Sequence, residues 1–137
     1  MVKFLSQEWI DYGKKYILEK LDPEKDLKNL TTSILAYVEH APPNDTTMSF
    51  YFELKDGKID NFKVNTGDNI DEKGIVFVVR ANYGTYKDIF QGKTGIAIAL
   101  LKNRLILKGS KMEAMKIIKP LESVIESLRK ITDEFED

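Results

Sequence analysis

Between residues 33 and 80 the apolar side chains recur mainly at every second position, and on either side of that region they recur at spacings of three and four. The first period belongs to strands and the second to helices. Four strands are predicted, over residues 34–40, 48–54, 59–65 and 75–80. Asp56-Gly57 separates the second from the third. A two-residue turn of that composition suits positive φ at both positions, so these two strands are antiparallel neighbours. Phe50, Phe52 and Leu54 then share one face and Ser49, Tyr51 and Glu53 the other. In the fourth strand Val76 and Val78 are apolar as well as Ile75, Phe77 and Val79. Both its faces are expected to be covered.

A helix beginning at Ser6 or Gln7 and running to Leu21 carries Trp9, Gly13, Tyr16, Ile17 and Leu21 on one side. Asp22-Pro23 ends it, and Asp22 is placed to cap a short turn over residues 24–30. Trp9 reads as a core anchor. In the stretch 83–109 two short helices precede a fifth strand, residues 104–108. Tyr86, Ile89 and Phe90 share a face of the first, and the second contains the apolar run 96–101. Gly92 and Asn103 suit the positive φ that follows a helix end. Ser110 and Glu113 form a capping-box signature for the last helical region. There Met112, Met115, Ile118, Leu121, Ile125 and Leu128 recur at three and four, and Pro120 must kink that helix or begin another.

Three motifs in this order resemble the C-terminal half of the sterol carrier protein type 2 (sterol-binding) domain: Asp88-Ile89-Phe90-Gln91-Gly92-Lys93, Ala99-Leu100, and Leu105-x-Leu107-Lys108-Gly109. Upstream, Phe50-x-Phe52-Glu53-Leu54-Lys55-Asp56-Gly57-Lys58 resembles that family's central hairpin. The order of elements agrees over residues 32–115. The chain departs from the family pattern at Thr94-Gly95-Ile96 and at Asn103.

Charge and composition narrow the chemistry. The formal net charge is −1, so no global field points to nucleic acid or to an anionic membrane, and either would need a local patch. There is no cysteine, which excludes disulfides, thiolate metal sites and cysteine nucleophiles. The N-terminus has no signal-like apolar region, and the longest apolar runs are about six residues, far short of a membrane span. The last residues lack a Ser-Lys-Leu tail, and a soluble cytoplasmic protein is expected. Gly92-Lys93-Thr94 is not a phosphate loop, because Lys87 stands where the pattern needs glycine and a helix precedes it. His40 is the single histidine and has no nucleophile placed beside it by any motif, so it reads as a strand-end surface residue. Asp68, Asp71, Glu72 and the acids of 133–137 lack calcium-loop spacing.

At 137 residues one domain is expected: a helical segment 1–31, a core 32–115 and a helical extension 116–137. The predicted class is α/β (α+β), a largely antiparallel five-stranded sheet with helices over one face. The apolar layer between them is, on composition alone, either ordinary core or a ligand cavity. The resemblance implies the cavity, and with it a non-catalytic carrier of a fatty acid, acyl-CoA or similar lipid. The lining is expected to comprise Phe50, Phe52, Phe77, Val79, Phe90, Ile96, Leu100, Met112 and Met115. No catalytic residue, metal or cofactor is expected. The partner is a small lipid, with no nucleic acid and no stable membrane insertion, and the protein is a monomer or weak homodimer. The alternatives are an acyl-thioester enzyme and a ligand-free interaction module. Residues 65–74 are expected to be mobile surface outside the lining. The opposite sheet face, with Val76, Val78 and Ile106, is expected to be covered by the N-terminal helix or, second, by another subunit.

Overall fold

The computed structural model describes residues 2–136. In it β1 (Thr32–Ala41), β2 (Thr46–Lys55) and β3 (Lys58–Thr66) form an antiparallel meander. Asp56 and Gly57 both have positive φ, as their turn requires. The turn is fixed against the chain before β1: the Gly57 amide donates to the Leu30 carbonyl at 2.9 Å. β4 (Phe77–Asn82) lies parallel to β1 on its other side, and β5 (Ile106–Lys108) pairs antiparallel with β4. The order is β3-β2-β1-β4-β5, a largely antiparallel five-stranded sheet with one parallel pair.

Register decides what this sheet presents. Residues directly opposite one another share a face. One row across the strands is Phe62, Phe52, Ile34 and Phe77, and the next is Val64, Phe50, Ala36, Val79 and Leu107. The first three strands begin one or two residues earlier than expected, and the last two begin two residues later because side-chain or helix-end acceptors take their amides. The Val76 amide donates to Ser33 Oγ at 2.9 Å, so β4 begins at Phe77. Arg104 and Leu105 both donate to the Ala99 carbonyl, at 2.9 and 3.1 Å, which shortens β5.

The helices start and stop where the backbone has partners. α1 (Gln7–Lys20) is capped by Ser6, whose hydroxyl accepts from the Trp9 amide at 3.1 Å. Asp22 accepts from the amides of Glu24 and Lys25 and holds the following turn. α2 (Tyr83–Phe90) ends in Gly92 at φ 79°, with the Lys93 amide bonded to Asp88 at 2.8 Å. α3 (Ile96–Leu101) is followed by Asn103 at positive φ. α4 (Lys111–Lys116) takes its cap from Ser110, while the Glu113 carboxylate turns to Lys116 instead of closing the capping box. At Ile117 the backbone leaves helical geometry, and α5 (Ile118–Ile131) begins. Pro120 lies in its first turn, where its missing amide hydrogen is not needed. It therefore belongs to a helix start, not to a kink.

All five helices pack over one sheet face, and α1 is among them. Trp9 is fully buried, with its ring 5.0 to 5.7 Å from those of Phe4, Phe50, Phe62 and Phe90. Its indole N–H donates to Thr132 Oγ1 at 2.9 Å. The expectation that this helix covers the opposite face is thus corrected: its apolar stripe meets β3 and α5. Gly13 lets the helices approach, since a Cβ there would stand 2.8 Å from Leu128 Cδ2. The segment before α1 joins the one after α5, the Phe4 amide donating to the Glu134 carbonyl at 2.9 Å.

The opposite face is covered only in part, by the chain's own loop between β3 and β4. Val78 is buried there, but Val76 and Ile106, expected to be covered with it, are 55% and 53% exposed, because the loop's apolar contacts do not extend to the β5 side of the sheet. Leu35, Tyr37 and Val78 form a small cluster under the loop, with Tyr51, Ile70 and Ile75 packed against it. Glu72 accepts from the Tyr37 hydroxyl and from Lys108 Nζ, both at 3.0 Å. Arg80 lies over the Tyr37 ring at 4.3 Å. The loop lies outside the cavity lining, but it is docked through Ile70 and Glu72.

Candidate functional site

Between the sheet and the helices lies a cavity of about 100 Å³. Its floor is the two apolar rows: Phe62, Phe52, Ile34 and Phe77, then Phe50, Ala36, Val79 and Leu107. α2 contributes Tyr86, Ile89 and Phe90, α3 contributes Ile96 and Leu100, and α4 contributes Ala114. The longest stretch of wall is α5, through Ile118, Leu121, Val124, Ile125 and Leu128, the stripe its spacing of three and four creates.

The chemistry of this lining is nearly uniform. Tyr86 is the one lining side chain with a polar atom, and its hydroxyl donates to the Tyr37 carbonyl at 2.9 Å. Burial pushes its phenol far above the ordinary tyrosine range, so it is a neutral donor already in use. The lining offers no carboxylate, imidazole or amine for proton transfer. A cavity of this kind holds hydrocarbon in preference to water.

Of the nine residues expected to line it, Phe50, Phe52, Phe77, Val79, Phe90, Ile96 and Leu100 do so. Met112 and Met115 do not: they are 72% and 48% exposed. The reason is the break at Ile117, which ends α4 after a single turn and a half and removes it from the phase of the stripe that follows. Within α4 it is Ala114 that faces the cavity. The region 116–137, expected as an extension, supplies α5 and thus a main wall. Ile34 and Ala36 were readable from the alternation in β1 once its neighbours were known. Phe62 was readable as the partner of Phe52 across the hairpin.

Elsewhere the surface offers less. A polar hollow of about 620 Å³ is bordered by Glu39, Arg80, Asp88, Lys93 and Arg104. Its charges are largely paired within it, Arg80 with Glu39 at 3.2 Å and Arg104 with Asp88 at 2.8 Å. His40 is exposed, its Nδ1 2.7 Å from Asp45 Oδ1. Among the described residues no group of three acidic or histidine side chains is placed to hold a metal ion, and no helix is long and apolar enough to cross a membrane.

No protein-family model matches this chain, and none of the curated proteins matches it by sequence. Solved structures do match by shape. A crystal structure of sterol carrier protein 2 superposes with a TM-score of 0.78 at 17% identity, covering 93% of this chain and 98% of that one. A solution structure of a possible sterol carrier protein from Thermus thermophilus gives 0.79 at 16% identity, over 97% and 92%. A palmitated sterol-carrier-protein-2-like protein of Aedes aegypti gives 0.57 at 18% identity, over 88% and 94%. The superpositions span both the meander and the helical layer that enclose the cavity, so this chain has the sterol carrier protein 2 fold.

Proposed function

We propose that this protein is a non-catalytic lipid carrier that holds the hydrocarbon chain of a fatty acid, acyl-CoA or similar lipid between its sheet and its helices. The observation that carries the reading is the cavity between sheet and helices whose lining is hydrocarbon except for one committed tyrosine hydroxyl. Each methylene transferred from water to such a site gains ~0.8 kcal/mol, so a dozen gain roughly 10 kcal/mol before ordering costs. The palmitated relative of the same fold supports a ligand with an acyl chain. A sterol is not required by the family name.

The cavity of about 100 Å³ is smaller than the engineered cavity of roughly 150 Å³ that admits benzene. A long chain therefore enters by displacing part of the wall. The sheet rows are fixed by their ladders, and the movable part is the half-buried run Ile117, Ile118, Leu121 and Ile125 at the start of α5.

The test is organic extraction and mass spectrometry of the native protein, followed by titration with a fluorescent fatty acid. An acyl lipid is expected in the extract, and Leu100→Trp, which fills the space, is expected to weaken the probe at least ~10-fold. Should the tryptophan unfold the protein, Ala114→Leu narrows the same space with less strain. Unchanged affinity in a folded variant refutes the site. An empty extract with no probe binding favours an interaction module, and acyl-CoA hydrolysis abolished by changing one acidic residue favours an enzyme.

A further inference from the structure

We infer that α3 and α4 form a docking surface for an anionic lipid bilayer. The balance of charge along the chain motivates this. From Gln91 to Pro120 there are seven Lys and Arg residues and a single acid, Glu113, a net charge of +6 within a chain whose total is −1. The remainder of the molecule is correspondingly −7. The net positive charge therefore resides in the one segment that contains α3, β5 and α4, although three of its cations, Arg104, Lys108 and Lys116, are paired with Asp88, Glu72 and Glu113.

Exposed apolar side chains occur in the same segment. Leu101 is 71% exposed and Ile98 47%, on the sides of α3 turned away from Ile96 and Leu100 in the cavity. On α4, Met112 and Met115 are exposed in the same way while Ala114 faces the cavity. Both helices abut α5, and the Ile96 amide donates to Glu122 Oε1 at 3.3 Å. Each of three apolar positions has a lysine next to it in the chain: Leu101-Lys102, Lys111-Met112 and Met115-Lys116. Lys102 and Lys111 take part in no ion pair among the described residues. Lysines beside exposed Leu and Met suit an interface where charge meets lipid phosphate and the apolar tips enter the acyl boundary. A nucleic acid would use the charge and leave the apolar tips in water, and neutral apolar partners would leave the lysines unpaired.

Docking in this orientation sets the bilayer against α3 and α4, beside the movable wall at Ile117 and Ile118. That consequence rests on the lipid-carrier reading, whereas the docking does not. The experiment is co-sedimentation with vesicles of phosphatidylcholine alone or with about one third phosphatidylserine, at low and raised salt. Wild-type protein is expected to bind the anionic vesicles, to release them with salt and to bind neutral vesicles poorly. Lys102→Gln with Lys111→Gln is expected to weaken binding about 25-fold, at roughly fivefold per lysine. Leu101→Ser with Met112→Ser is expected to weaken it about tenfold. Lys15→Gln with Lys20→Gln, on exposed parts of α1, serves as the charge-matched control and is expected to change it little. No binding to anionic vesicles overturns the proposal. So does full binding by the Leu101/Met112 variant, or an equal loss in the α1 control. Leu100→Trp is expected to keep vesicle binding, so a cavity that holds no lipid and a surface that docks on none give different results.

Discussion

A hydroxyl inside a hydrocarbon wall is costly unless it is bonded, and at Tyr86 the Tyr37 carbonyl is its acceptor. Tyr86→Phe keeps the shape of the wall and removes that donor. A loss of about 1–2 kcal/mol in urea unfolding is expected, with acyl-probe affinity unchanged. A large affinity loss at full stability would mean that the hydroxyl meets the ligand. Gly57 is constrained twice: its φ is 77°, and an added Cβ would stand 2.3 Å from the Pro23 carbonyl oxygen. Gly57→Ala is expected to cost about 1–3 kcal/mol from backbone strain alone, with the clash in addition, read as a lower denaturation midpoint. At Gly13 the obstacle is instead the packed ends of Leu128 and Phe62. Gly13→Val should destabilise by about 1–3 kcal/mol through overpacking between α1 and α5, and an unchanged midpoint would show that these helices can part freely.

Among the elements, the loop over residues 67–76 is held both by the Glu72 carboxylate and by the apolar contacts of Ile70 and Ile75. Hydrogen bonds from Lys108 and then Tyr37 hold the Glu72 carboxyl below the usual carboxylate range. A depressed folded value stabilises the protein above the ordinary pKa of about 4 and loses that contribution as pH falls through the depressed value. Glu72→Gln is therefore expected to be less stable than wild type near neutral pH and to converge with it under acid, measured by urea melts at both. A gap that persists in acid would mean that Ile70 and Ile75, and not the carboxylate, hold the loop. This docking was not legible in the sequence, because Ile70 is one apolar residue in a polar run. The β2–β3 hairpin was legible, since Asp56-Gly57 and the flanking alternation agree about register. The destination of α1 was not: Trp9, Tyr16 and Ile17 show that a face is buried without showing which surface buries it. The methionines misled for a related reason. Met112, Met115 and Ile118 continue one helical period on paper, and only the backbone at Ile117 shows that they belong to two helices.

In the whole molecule, β1 has local and distant partners on its two sides: β2 follows it after a short turn, whereas β4 arrives after the entire meander and its loop. Pairings of high sequence separation form late, since loop-closure entropy opposes them. During refolding the meander is expected first, with the Phe62, Phe52 and Ile34 row open to water until the helices cover it. The single tryptophan happens to report the closing step, because Trp9 meets β2 and β3 through Phe50 and Phe62 and the C-cap of α5 through Thr132. After dilution from denaturant, the far-ultraviolet circular dichroism of the strands should recover ahead of the change in indole fluorescence. Coincident traces would mean that sheet and helical layer assemble in one step. If the fluorescence lags, an acyl chain present during refolding would meet a greasy sheet before the cavity exists, and cargo could be built in at birth instead of being loaded afterwards.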